Sequence, residues 1–272
     1  MRVRWIAAAL TLALCFSLAA CGHPPVSEEQ EEELPTLRIG SDDYEPYSYL
    51  DETGDFTGID VDLAREACRR LGYRPEFHQV VWENKDQELA AGNIDCLWGS
   101  FTMTGREEDL YQWAGPYLYS RQVVLVRADS DIATLADLAG KRVAVQATSK
   151  PETVFLERPE PERVPEVGEV YCFSTMEEVY SAIRKGFVDA IAGHEGAMRT
   201  FMEDSPGSWR ILDQSLLVSG LGVAFPKGTN ESLSAQLTAV LQEMQKDGTT
   251  KAIVEKYGFD PDQFFLGRGG SS

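Results

Sequence analysis

Leu37-Arg38-Ile39-Gly40-Ser41-Asp42-Asp43-Tyr44-Glu45-Pro46-Tyr47 opens the folded part of this chain. Leu37 to Gly40 alternates like a half-buried strand and ends in glycine. The period then changes. Ile59, Leu63, Ala67, Cys68 and Leu71 fall on one helical face, with Asp60 as the candidate N-cap and Gly72 just past the end. Phe77 to Trp82 reads as a second strand. A helix follows to Ala91, closed by Gly92, and Ile94 to Trp98 reads as a third strand. Strand–helix–strand–helix–strand is the pattern of a largely parallel sheet with helical crossovers, so the fold class is α/β.

The pattern restarts further on. Leu135 to Leu138 predicts a short helix and Arg142 to Gln146 a strand. Thr175 and Glu178 form a capping-box pattern before a helix to Lys185. Val188 to Ala192 and Leu221 to Phe225 read as strands. Leu233, Leu237, Val240, Leu241 and Met244 mark a long helix capped by Asn230 and stopped at Gly248, and Ile253, Val254 and Tyr257 mark a last short one. Two such clusters imply two lobes. No polar linker separates them, because the crossover near Tyr119 to Val126 is itself a β-type run; the lobes should be joined by extended strands, as in a hinge.

Upstream, Arg2 and Arg4 precede an apolar run from Trp5 to Ala20, followed by Cys21 and Gly22. A positive start, a short apolar run and small residues at a cut site predict a secretory signal over 1–20. The run is shorter than the roughly 20 residues a spanning helix needs. Leu18-Ala19-Ala20-Cys21 resembles a bacterial lipobox, which implies that Cys21 is lipidated and holds the chain on a membrane face, outside the cytoplasm. The alternative is an ordinary cleaved signal with an incidental cysteine. Residues 21–35, rich in Glu, carry almost nothing to bury and read as a solvated tether.

About 240 residues remain for the folded part, one large or two modest domains by length. The net charge of −19 belongs partly to the tether, but the rest is still acidic, which argues against nucleic acid or an anionic lipid surface as partner. Cys68, Cys96 and Cys172 are too sparse for a disulfide framework; buried free thiols are the expectation, with room for one pair. His23, His78 and His194 are too few and too separated to propose a metal site, and no cofactor is expected. Nucleophile-elbow, zinc-protease, Walker and dinucleotide motifs are all absent.

What remains is a set of polar and aromatic residues at consecutive strand ends, where ligands bind in open α/β sheets. Asp42 and Tyr44 follow the first strand, Trp82 the second, and Gly99, Ser100, Thr102 and Arg106 the third. Small hydroxyl residues leave backbone N–H groups approachable. An Arg offers a two-pronged fork to a carboxylate. Tyr44 and Trp82 could flank an apolar or cationic group.

Taken together, the chain resembles the family 3 solute-binding proteins, the polar amino-acid receptors of ABC importers. The stretches that carry the resemblance are Leu37-Arg38-Ile39-Gly40, Tyr44-x-Pro46-Tyr47, Gly58-Ile59-Asp60-Val61-Asp62-Leu63-Ala64, Gly92-Asn93-Ile94-Asp95 and Trp113-Ala114-Gly115-Pro116-Tyr117. Leu138 to Gln146 and Asp247-Gly248-Thr249 extend it. The resemblance implies the periplasmic-binding-protein type II fold: two α/β lobes joined by two hinge strands, with 36–121 plus 219–272 as lobe 1 and 122–218 as lobe 2. It implies that Tyr44 and Trp82 sandwich a ligand, that Ser100 and Thr102 supply hydroxyls, and that Arg106 clamps an α-carboxylate. Ser149 would hold that carboxylate from a helix start. Lys150 falls where the family usually has Thr; it either adds a charge to the site or points to solvent. The family's usual Asp for the α-ammonium is missing, since the strand runs into Gly193-His194-Glu195. Either Glu195 supplies the carboxylate from one position on, or the ligand lacks a standard amino-acid head group.

The resulting expectation is a non-enzymatic, lipid-tethered, monomeric receptor that captures a small amino acid or related zwitterion and presents it to a membrane permease of an ABC importer. The rival is an enzyme of the same fold, such as a prephenate or arogenate dehydratase, with Glu195 or His194 as its cleft acid. A sensor input domain would usually continue into a spanning helix, and this chain stops at Ser272.

Overall fold

β1 (Thr36–Ser41) pairs in parallel with β4 (Arg74–Gln79) on one side and with β5 (Cys96–Leu97) on the other. The structure is a computed structural model that describes residues 34–105 and 107–265. The signal segment expected over 1–20, Cys21 and Arg106 therefore lie outside the described residues. Between β1 and β4 stand the two short strands β2 (Tyr49–Leu50) and β3 (Phe56–Thr57) and the crossover helix α1 (Ile59–Leu71). The α1 face anticipated from spacing is the buried one: Ile59, Leu63, Ala67 and Cys68 are fully enclosed. Gly72, in the left-handed region at φ 74, ends the helix.

The start of α1 differs from the expectation. Its N-cap is Gly58, and Asp60 lies inside the first turn, 1% exposed. The Asp60 carboxylate accepts from the Ser100 backbone N–H at 2.5 Å and from the Tyr117 hydroxyl at 2.7 Å. Asn230, the anticipated cap of α7 (Glu231–Lys246), occupies the N-cap position in the left-handed region but makes no side-chain capping bond.

After α2 (Lys85–Ala90) and the short α3 (Glu107–Leu110), the chain enters β6 (Tyr111–Arg127), a 17-residue strand that leaves the first lobe and enters the second. There β7 (Arg142–Gln146) pairs in parallel with β8 (Glu169–Phe173) and with β9 (Ala190–His194). The helices α4 (Lys150–Glu157), α5 (Met176–Arg184) and α6 (Glu195–Glu203) complete this lobe. The Thr175–Glu178 capping box is present at the start of α5. The 18-residue β10 (Trp209–Pro226) then returns antiparallel to β6. α7, α8 (Thr249–Lys256) and α9 (Asp262–Phe265) follow.

One eight-stranded sheet results, in the order β4-β1-β5-β10-β6-β9-β7-β8. The two long strands at its centre join two α/β lobes. The junction is irregular: register shifts interrupt the β6–β10 pairing between Ile211 and Ser215, between Ser215 and Leu217, and between Leu221 and Val223. Such bulges bend and twist a ribbon locally. Among the described residues, Cys68, Cys96 and Cys172 are free; Cys68 and Cys96 are buried, whereas Cys172 is exposed, contrary to the expectation of buried thiols. No helix among the described residues is long and apolar enough to cross a membrane.

Candidate functional site

The ends of the parallel strands of both lobes face one cleft of ≈ 510 Å³, open mouth included. Its lining comes from both lobes. The first contributes Asp42, Tyr44, Trp82, Gly99, Ser100, Phe101, Thr102 and Glu107, and the second contributes Gln146, Thr148, Ser149, Lys150, Pro151, Met176, Ala192, Gly193 and His194; Gln122 comes from β6. This is where open α/β sheets bind ligands. Among the sequence-predicted residues, Asp42, Tyr44, Trp82, Gly99, Ser100, Thr102, Ser149, Lys150 and His194 meet here. Glu195 does not line the cleft. It opens α6, and its carboxylate is taken by Arg199 at 2.5 Å and Arg121 at 3.2 Å.

Asp42 is 5% exposed. Its Oδ2 accepts from Gln146 Nε2 at 2.9 Å, and its Oδ1 has no partner among the described residues. Burial raises its pKa from 3.8 to about 6, with the Gln146 bond opposing. The aromatic walls are firmly set. The Trp82 ring meets Phe101 edge-on at 5.0 Å, and the buried Lys85 ammonium sits 5.1 Å from its centroid. The Tyr44 hydroxyl accepts the His194 backbone N–H at 2.9 Å. That approach needs glycine at 193, because a Cβ there would come 2.6 Å from the Tyr44 hydroxyl oxygen.

His194 stands at the position that ends β9. Burial lowers its pKa from 6.5 to about 3, so the ring is neutral. Its nitrogens face Gln122 Nε2 at 3.0 and 3.2 Å and Ser120 Oγ at 2.9 Å. The tyrosine rings of Tyr44 and Tyr47 flank it, with centroids at 5.7 and 5.5 Å. A neutral, enclosed imidazole is no counter-charge for an ammonium. Gln122 turns its Nε2 to this ring, leaving its buried Oε1 without a partner among the described residues.

Two cleft residues, Ser100 at φ 47 and Thr148 at φ 56, hold left-handed backbone conformations without being glycine. Each costs about 1–2 kcal/mol relative to ordinary backbone, so neighbouring bonds must hold them. Ser100 is held by Asp60. Thr148 is held by Glu152, which accepts its N–H at 2.8 Å, and by Lys85, which donates to its hydroxyl at 3.0 Å. Ser149 N-caps α4: its hydroxyl accepts weakly from the Glu152 N–H at 3.5 Å and donates to the Gln146 carbonyl at 2.6 Å. Lys150 realises neither simple reading. Its side chain is 12% exposed and lines the cleft, yet its charge is paired with Glu107 at 2.8 Å, with the Thr104 carbonyl at 3.2 Å.

Sequence reasoning missed Gln146, Gln122, Thr148 and Glu107. Gln146 ends a predicted strand, so the strand-end rule that selected Asp42 reaches it too. Gln122 precedes the apolar run Val123 to Val126 and is 1% exposed; a polar residue beside such a run marks a buried hydrogen-bonding group. Among the described residues, no group of three His, Cys, Asp or Glu is placed to hold a metal ion.

Comparisons with known proteins agree with this geometry. The histidine-binding periplasmic protein of Salmonella typhimurium is 28% identical over 268 residues, spanning 95% of this chain and 98% of that protein. The solved structure of an ancestral arginine-binding protein bound to arginine superposes with a TM-score of 0.75 at 28% identity, covering 83% of this chain and 99% of that one. An ancestral amino acid-binding protein, AncCDT-1, described as a precursor of cyclohexadienyl dehydratase, gives 0.72 at 28% identity, covering 82% and 95%. Residues 37–260 match the family model described as bacterial extracellular solute-binding proteins, family 3. With two α/β lobes, two joining strands and a two-sided cleft, this chain belongs to that family of solute-binding proteins.

Proposed function

We propose that this chain is a lipid-anchored receptor of an ABC importer that captures a small amino acid or a related zwitterion and delivers it to a membrane permease. Residues 36–121 with 219–272 form one lobe in this reading, and 122–218 the other. The observation that carries the ligand class is Asp42: a buried carboxylate at the cleft wall, with one oxygen lacking a partner among the described residues. A buried unpaired carboxylate is costly, and a ligand's positive group would satisfy it. Tyr44 and Trp82 wall the ligand. Ser100, Thr102 and Ser149 offer hydroxyls and N–H groups to its carboxylate, with Arg106 as the clamp expected from the family. Asp42, rather than Glu195, is the partner of the positive group. The relatives named for histidine and arginine binding support an amino-acid ligand. Glu195 and His194, the acids a dehydratase would use, are engaged with Arg121, Arg199, Gln122 and Ser120, which favours the receptor over the enzyme.

A thermal-shift screen tests this, using the standard amino acids together with their decarboxylated amines and deaminated acids. A ligand at a hundred times its Kd adds about 2.7 kcal/mol, or roughly 5–10 °C for a domain of this size. The expected result is a shift with at least one zwitterion and little with its amine or acid. A screen without any shift rejects the ligand class. Turnover of arogenate or prephenate would reject the receptor reading.

A further inference from the structure

Ser100 holds a left-handed conformation at φ 47, and its N–H is bonded to the buried Asp60 carboxylate. Asp60 is 1% exposed and lies under the cleft floor, outside the lining. Its Oδ2 takes both the Ser100 N–H and the Tyr117 hydroxyl, and its Oδ1 has no partner among the described residues. On the cleft side, Ser100 shares the lining with His194. We propose that Asp60 is a positioning residue for the ligand site: as a carboxylate it locks the Ser100 backbone in its left-handed turn and so fixes the donors that the 99–102 loop presents to the ligand. This rests on the receptor reading above.

The lock should respond to pH. Burial raises the Asp60 pKa from 3.8 to about 7, with nearby Asp42 adding to the rise and the two donors opposing it. The other titratable groups facing it are Tyr117 and Tyr47. Elsewhere on α1, Asp62 is paired with Lys256 and Tyr257, and Glu66 with Arg69 and Arg70, so neither faces Asp60. Protonation at the partnerless Oδ1 removes the negative charge that makes Oδ2 a strong acceptor, which weakens the hold on Ser100.

The test begins without a ligand. In the isotope-labelled protein, the Ser100 amide resonance should titrate with a midpoint near 7, and Asp60→Asn should abolish that titration. The binding arm uses whichever amino acid gives the largest thermal shift in the screen. Asp60→Asn should weaken it roughly ten-fold, the scale of one hydrogen bond to a charged group. Wild-type affinity should fall in two steps as pH drops, near 7 from Asp60 and near 6 from Asp42; the variant should keep only the lower step. A Ser100 amide indifferent to pH from 5 to 9, or a variant with wild-type affinity and both steps, overturns the proposal. If no amino acid binds, the receptor reading fails, and the amide titration still decides the role of Asp60.

Discussion

Asp42 at the end of β1 and Gln146 at the end of β7 share a 2.9 Å hydrogen bond, one residue from each lobe. Among the further bonds that cross beside it are Tyr44 with the His194 N–H, Lys85 with the Thr148 hydroxyl, and Lys150 with Glu107. The lobes thus meet through polar groups at the cleft itself. Each group is desolvated when they meet, and the Asp42 bond leaves half its carboxylate unsatisfied. A ligand whose positive group met that oxygen would strengthen the meeting of the lobes, which is how differential binding shifts a two-state equilibrium.

Asp42→Asn keeps the shape and removes the charge. Truncating one side of a buried charge pair costs about 2–5 kcal/mol, so binding of an amino acid should weaken by roughly 30-fold or more. A monocarboxylate lacking the amine should bind the variant and the wild type alike. Calorimetry with the matched pair checks this; equal losses for both compounds would remove Asp42 as partner of the positive group.

Glu195→Gln should leave ligand affinity within about two-fold, because its carboxylate serves Arg121 and Arg199 rather than the cleft. The pairs are partly exposed, so roughly 1 kcal/mol is at stake, or about 2–4 °C in melting temperature. Paired calorimetry and melting curves separate the two effects. A large affinity loss without a melting change would put Glu195 back in the site.

The contrast between these two acids shows where sequence reading stops. β1 and α1 were legible because alternation, a 3.6-residue face and a terminal glycine are all local signals. β9 starts two residues later than anticipated and runs through His194; its ends are set by pairing with β6, where Gln122 meets His194. The same pairing gives Gln122 its role, and no local pattern encodes it. Trp82 proved to begin a short 3-10 turn instead of ending a strand, yet still reached the cleft. The first half of β10 mixes Asp213, Gln214 and Ser215 with bulged register, so its alternation is broken. Adjacency in sequence points to Glu195, but the start of α6 turns it to Arg121 and Arg199 instead.

Cys21→Ser should move the protein from the membrane fraction to the soluble extracytoplasmic fraction. The motivation is the Leu18-Ala19-Ala20-Cys21 ending of the apolar run. A single acyl chain binds membranes only marginally, whereas two or more anchor stably, so the expected release is nearly complete. Fractionation and immunoblotting check it, and a variant still pelleting with membranes would reject the anchor.

The empty protein should also grow more stable as pH falls from about 7 towards 4.5. Asp42 and Asp60 have folded pKa values near 6 and 7, raised by burial from 3.8. In this window the folded state keeps their protons while the unfolded state has released them, so raising the pH removes stability until both are ionised. The opposite applies at lower pH. Glu66, bonded to Arg69 and Arg70, and Asp247, bonded to Thr249 and Arg70, are held down at about 2. Their contribution is present above the usual carboxylate range and is lost as pH falls towards 2. Melting temperature plotted against pH should therefore pass through a maximum on the acidic side of neutrality, and Asp42→Asn combined with Asp60→Asn should flatten its upper limb. A wild-type profile that rises steadily from pH 4.5 to 8 would contradict the raised folded-state pKa values of these two acids.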